Sequence, residues 1–285
     1  MRKIYVFDIP TSAGCLHEGT ELSAGHFRQN GIISRLAANA GVEVHDLGGV
    51  PLSRGRRHND HPVRNWPLPE TVWRQTGAFM EKIGPAVKDG LCLCLGGDCS
   101  IIVGTTAGMA QWHGNDKVHV ISLDGDVDSI SPLPDTCCGS AGMGLWMATQ
   151  ESDYWPGGKL PTASITVIGN QEKPANDIGI PCVSLGELRE RGIAKSVQAA
   201  LAAIEKERKL LLHFDVDVIA ADAMPAAYMP REARLSLCET GQILKLLLQD
   251  DRTAFLEITE FMPSKDPQGR HAKALIDLLC AALAT

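Results

Sequence analysis

An alternation along the chain limits its fold more than any other feature. Short, nearly all-apolar runs recur, each followed by a longer stretch with helical periodicity. The runs are Lys3–Phe7, Val42–Asp46, Leu91–Leu95, Val118–Leu123, Ser164–Ile168, Leu210–Asp215 and Ala254–Ile258. Helical patterns cover Glu21–Ala40, Glu70–Val87, Ile101–Trp112, Leu185–Glu207, Cys238–Leu248 and Lys273–Leu283. Strands that are apolar on both sides need cover on both faces, and a helix after each strand supplies it. The pattern predicts an α/β fold: three layers, α/β/α, around a central, mostly parallel sheet. Ser184 and Glu187 are spaced as a capping box and mark one helix start. No repeat, linker or composition break interrupts the chain, so one domain over residues 1–285 is expected. Pro51–Pro67 is polar, basic and irregular, and reads as a loop.

Hydrophobic residues make up 44% of the chain, enough for a substantial core, and the net charge of −7 argues against nucleic acid or an anionic membrane as partner. No apolar run reaches the ~18 residues of a membrane helix. The opening MRKIYVFDIP enters a strand-like run with no secretory h-region. Nine cysteines without an export signal read as reduced thiols, and a cytoplasmic location is expected.

In an open parallel sheet, ligands gather beyond the carboxyl ends of the strands. There Leu91–Leu95 runs into GGDCS, with Cys99, and Val118–Leu123 into DGDVD, with Asp124, Asp126 and Asp128. Leu210–Phe214 leads to Asp215 and Asp217, and Ala254–Ile258 to Glu260. A lone D-x-D pair is often a solvated turn, but two such clusters ending buried strands point to bound cations. The five aspartates carry about −5 when ionised. Uncompensated, such crowding raises carboxylate pKa values and destabilises the fold. Two divalent ions would nearly neutralise it, and hard oxygen donors favour Mn²⁺ or Mg²⁺ over a tetrahedral Zn²⁺ site.

In this order and spacing, GGDCS, DGDVD, FDVD and ITEFMP resemble the ureohydrolase (arginase/agmatinase) family, whose pattern is GGDHS, DAHxD, DxD and E-V-N-P. GTELSAGHFRQNGIISRLAANAGVEVHDLG and CVSLGELRERGIAKSV extend the likeness over nearly the whole chain. The resemblance implies an arginase-like fold, a homo-oligomer (trimer or hexamer), and two Mn²⁺ ions whose shared water attacks a guanidinium carbon. It implies that Asp124 and Asp215 bind both ions. Asp128 would bind the first ion and accept a hydrogen bond from the nucleophilic water, Asp217 would bind the second ion, and Glu260 would pair with the substrate's guanidinium. Asp128 and Glu260 are thus the candidate catalytic residues.

The chain departs from that pattern where two ligands are histidines: Cys99 stands at the first and Asp126 at the second. More negative charge from the ligands makes each metal a weaker Lewis acid, so ordinary activity should fall or its pH optimum rise. On the substrate side, Ala141 stands at the proton-shuttle histidine, and Ile130 and Cys137 at residues that read arginine's α-carboxylate. Arginine is therefore not the expected substrate. The expectation is a metal-dependent hydrolase of another linear amidine or guanidino compound, such as an apolar-tailed amidine or an N-hydroxyguanidine. The alternative is an inactive scaffold that binds metal or a partner subunit. Zinc-dependent deacetylation is disfavoured, because no histidine is expected near the acids. His58, His61, Arg54, Arg56, Arg57 and Arg64 read as solvated loop residues, His119 and His213 as core histidines. Cys92 and Cys94 read as buried, Cys137 and Cys138 as a pair facing the site.

Overall fold

The computed structural model describes residues 1–171 and 177–284. In chain order its elements are β1 (Arg2–Asp8), α1 (Ser23–Gln29), α2 (Ile32–Ala37), β2 (Val42–Gly49), α3 (Leu68–Val87), β3 (Leu91–Leu95), α4 (Ile101–His113) and β4 (Val118–Leu123). There follow α5 (Gly144–Thr149), β5 (Ile165–Ile168), β6 (Cys182–Val183), α6 (Leu185–Arg191), α7 (Ile193–Ala203), β7 (Lys209–Asp215), α8 (Leu237–Leu248), β8 (Thr253–Thr259) and α9 (Arg270–Leu283). The eight strands form one sheet in the order β2-β1-β3-β8-β7-β4-β5-β6, with every strand pairing parallel.

Alternation within the strands divides the core in two. Ile4, Leu93, Ile121, Leu212 and Leu256 face one side, against Phe27 of α1, Leu36 of α2, Leu247 of α8 and Leu279 of α9. Phe7, Cys94, Val120, Leu211 and Phe255 face the other, against Trp73 and Met80 of α3 and Met109 of α4. This is the arginase-like three-layer arrangement that the sequence predicts. Ser184 closes its capping box with Glu187, and Ser236 does the same with Glu239 at the start of α8. No helix among the described residues is long and apolar enough to cross a membrane.

The helix expected over Glu21–Ala40 is instead a 3-10 turn (Thr20–Leu22), α1 and α2. Gly31, at φ 86°, turns the chain left-handed between the two helices. Leu185–Glu207 divides in the same way at Gly192, at φ 89°. Two elements have no counterpart in the sequence pattern: β6, with two residues, and α5, with six, are too short to display a period.

The turn from β3 into α4 carries Cys99, and Gly97 lets it pass close to the segment after β1. A Cβ on Gly97 would lie 1.9 Å from the Thr11 carbonyl oxygen, a backbone atom that has no rotamer to relieve it. Gly97→Ala is therefore expected to destabilise by about 3 kcal/mol, the upper end for overpacking. Gly25→Ala, where a Cβ meets nothing within 4 Å, is the control and should stay within about 0.5 kcal/mol of the parent or gain stability. Urea unfolding midpoints of the two variants test the contrast.

Candidate metal centre

The four acid-bearing strands, β3, β8, β7 and β4, are consecutive in the middle of the sheet. Their carboxyl ends therefore open onto one place. Parallel pairing sets His213 opposite Glu257 and Asp215 opposite Thr259. Cys99, Asp124, Asp128 and His213 each present a ligand atom, all within 4.8 Å of one another. The Cys99 thiol donates to Asp215 Oδ2 at 2.9 Å and contacts Thr259 Oγ1 at 3.2 Å. His213 Nε2 lies 3.2 Å from the same sulfur, and its Nδ1 lies 2.6 Å from Glu257 Oε1.

Asp124, Asp126 and Asp217 form a second group of the same compactness, so Asp124 belongs to both. The D-x-D turns hold themselves: Asp126 N donates to Asp124 Oδ1 and Asp217 N to Asp215 Oδ1, each at 2.7 Å. One oxygen of each remaining pair, Asp124 Oδ2 and Asp217 Oδ1, is buried without a hydrogen-bond partner. This second group already contains a cation. Arg234, 2% exposed, donates from Nη2 to Asp126 Oδ2 at 2.9 Å and from Nη1 to the Gly125 carbonyl. Arg231 Nε approaches the same Asp126 oxygen at 3.9 Å.

Burial first, then neighbouring carboxylates, pushes Asp124, Asp128 and Asp215 well above the usual carboxylate range. Asp217 rises to about 7, from burial and Asp126, against the lowering effect of Arg234 and Arg231. Burial, then Asp215 and Glu260, also holds the Cys99 thiol well above its ordinary value. Groups that cannot all ionise on their own, two of them with an orphaned oxygen, fit a bound divalent cation. The fit is good at Cys99, Asp124, Asp128 and His213. At Asp126 and Asp217 the arginine competes for the same carboxylates.

Glu260, 5% exposed, follows β8 with a left-handed backbone at φ 62°. Its Oε1 accepts from Cys99 N at 2.8 Å, its own N donates to Gly97 O at 2.9 Å, and Tyr228 N donates to its carbonyl at 2.7 Å. Burial, then Asp98, raises its pKa well above normal. The Cys15 thiol lies 3.8 Å from Glu260 Oε2. Ile130 and Ala141 sit on the loop after Asp128: Ile130 N donates to Gly142 O, and Ala141 N to Gly14 O. Cys137 is half-buried and unpaired in a disulfide, and Cys138 is fastened to the basic loop through Pro62 O and Arg64 N.

Several expectations change here. His213 is buried, as a core histidine would be, but it lies against Cys99, so a histidine does stand among the acids. Its place two residues before Asp215 on β7 puts both on one face of the strand, a signal present in the HFDVD run. Glu257 follows from it by register, whereas Arg234 had no local signal at all. His58 is held by Asp60 and the Trp66 carbonyl, and His61 stacks on Trp66 and bonds Val63, so both serve their own loop. Arg57 is not a solvated charge: it donates to Ser12 O and Cys15 O and ties the loop to the segment beside Glu260. His119 bonds Thr166 across β4 and β5, as a core histidine should.

An all-parallel α/β sheet whose middle strands bring acids, a thiol and an imidazole to one edge defines a protein of the arginase type. The chain belongs to the Arginase family, whose sequence model matches residues 2–284. It is 23% identical to an arginase of Bacillus subtilis (strain 168), covering 98% of this chain and 96% of that one. It is 26% identical to Arginase-1 of Homo sapiens over 92% and 86% of the two chains. Among solved structures it is similar to the arginase of Bacillus caldovelox, with TM-score 0.89 at 21% identity over 100% of this chain and 99% of that one. It is also similar to formimidoylglutamase of Bacillus subtilis, with TM-score 0.79 at 18% identity over 99% and 86%.

Proposed function

We propose that this chain is a divalent-metal-dependent hydrolase of C–N bonds in a linear amidine or guanidino compound other than arginine. Glu260 carries the reading. A buried carboxylate in left-handed backbone, beside a crowd of other acids, weakens the fold and needs a cationic partner. A planar amidinium or guanidinium matches it in charge and in bidentate geometry. The names of the relatives, arginase and formimidoylglutamase, are consistent with that chemical class.

Cys99, Asp124, Asp128 and His213 would hold the metal, with Asp215, Asp126 and Asp217 around them; Mn²⁺ is the ion proposed, while the thiol and imidazole in the set disfavour Mg²⁺ and admit Zn²⁺. Bound there, a divalent ion would supply Lewis acidity and lower the pKa of a bound water, by less than with neutral ligands because the donor set is anionic. Asp128 would take the proton of the attacking water, while Glu260 orients the substrate's carbon toward it. Ile130, Cys137 and Ala141 would line the substrate's tail and offer it no charge. Ala141 donates no proton, which favours a substrate whose nitrogen leaves readily, as in an N-hydroxyguanidine or a formimino group. A single domain, a cytoplasmic location and a homo-oligomer, trimeric or hexameric, belong to the same reading.

A screen for release of urea, ammonia, hydroxylamine or formamide from guanidino, N-hydroxyguanidino, formimino and other amidine compounds, with the metal-loaded protein, tests it. Release from at least one of them is expected. If metal binds and no compound turns over, the second reading stands: a metal-binding, inactive scaffold. The Asp126–Arg234 ion pair favours that second reading, because it neutralises an acid at the centre without any substrate.

A further inference from the structure

Two departures from the family pattern meet at one point, and an arginine fills it. Where DAHxD is usual, this chain has Gly125 for the alanine and Asp126 for the histidine, and Arg234 reaches between them. A Cβ on residue 125 would lie 2.5 Å from the guanidinium carbon, so an alanine there would require the arginine to shift from this position. Asp126 provides the anion that a neutral imidazole lacks. The arginine's backbone is held by register as well. Leu235 N donates to Val218 O at 2.9 Å, Ala220 N to Leu235 O at 2.8 Å, and Arg189 Nη2 to Arg234 O at 3.0 Å. These bonds begin one residue beyond Asp217, so the guanidinium enters the second acid group from a firmly placed main chain.

The first acid group differs in kind. There the imidazole missing from position 99 is supplied by β7: His213 turns Nε2 toward Cys99 and is oriented through Nδ1 by Glu257. A carboxylate behind a ligating histidine is the usual means of fixing its tautomer and raising its donor strength. Asp124 Oδ2, shared by both groups, is buried without a partner and is a sign that the centre awaits a cation; Asp217 Oδ1 is likewise unpartnered, so the second group is set apart by the arginine on Asp126 and not by its free oxygens.

We propose that the centre binds one divalent ion, held by Cys99, Asp124, Asp128 and His213, and that the Arg234 guanidinium is the built-in cation of the second position, paired with Asp126. The inference rests on the metal-dependent reading of the centre and replaces an ion pair by an ion and an arginine. A second divalent ion at Asp126 and Asp217 would meet a fixed positive charge already hydrogen-bonded to its ligand, and the two repel.

Metal content of the full chain, dialysed against Mn²⁺ and in parallel against Zn²⁺ and then freed of unbound ion, decides the count. About one ion per chain is expected, since the Arg234 guanidinium already occupies Asp126 in the second position. Two ions would overturn this inference and leave the hydrolase reading intact; none would overturn both. The double variant Asp126→His, Arg234→Gly is expected to take up a second ion, and a count that stays at one would show that Arg234 is not what excludes it. If that variant fails to fold, the count for the unaltered chain still decides.

Co²⁺ loading tests the ligands without reference to turnover. A thiolate-to-cobalt charge-transfer band is expected and should vanish in Cys99→Ser; its absence from the unaltered protein would remove Cys99 from the set. His213→Gln should weaken Mn²⁺ binding by at least ~10-fold. Unchanged affinity would return His213 to the role of a core residue.

Discussion

Glu260→Gln lowers kcat/KM on the cationic substrate by roughly two orders of magnitude or more. The amide keeps the side chain's shape, and its oxygen can still accept the 2.8 Å bond from Cys99 N. What disappears is the negative charge opposite an amidinium at a carboxylate that is only 5% exposed. Removing one partner of a buried, hydrogen-bonded charge pair costs about 2–5 kcal/mol, because the other charge is left unpaired. In the free protein the variant should be no less stable, and even somewhat more so, since one acid leaves a group held well above its ordinary pKa by burial and its neighbours. The two readouts therefore move in opposite directions. Steady-state kinetics with urea or ammonia detection, together with a thermal melt, tests the pair. A kcat/KM within ~3-fold of the parent would remove Glu260 from substrate binding.

Withdrawing metal has the second large effect, and it falls on stability. Asp124 and Asp215 are buried with Asp128 half-buried beside them, and burial and neighbouring acids push their pKa values up, so the metal-free fold carries their mutual repulsion or their protonation. An ion bound at a thousand times its Kd contributes about 4 kcal/mol to the folded state. At about 2.1 cal/mol/K of unfolding entropy per residue, each kcal/mol moves the Tm of a chain this long by about 1.7 °C, so excess chelator is expected to lower Tm by about 7 °C. Calorimetric scans in millimolar Mn²⁺ and in EDTA measure it directly. A shift under ~2 °C would mean that the acids do not share a cation. The same scans on Arg234→Gly separate the two cations of the centre: losing the arginine leaves Asp126 without its nearest partner whether or not metal is present.

The residues differ sharply in how legible they were beforehand. β3 and β4 appear at the residues their apolar runs mark, Leu91–Leu95 and Val118–Leu123, because strands buried on both faces leave a continuous signal with abrupt ends. That Cys99, Asp124, Asp128, Asp215 and Glu260 share one place followed from parallel strands ending on one edge. Gly31 and Gly192 were harder, because a glycine within a helical period has the same appearance whether the helix runs through it or turns left-handed there. His213 was hidden by the apolar run around it, although its alternation with Asp215 marks the same face.

By itself, then, the sequence determined the layers, the parallel sheet and the edge where the acids gather. All of these are set by periodicities of two and about 3.6 residues, which act between near neighbours in the chain. Tertiary structure alone decided which charges meet. Asp126 and Arg234 are 108 residues apart, and no local period records that one will neutralise the other. Likewise, only the β7–β8 register sets Glu257 behind His213 and turns a buried histidine toward Cys99. Electrostatic pairing depends on distance in space, and the chain's fold creates that distance after its local preferences have been spent.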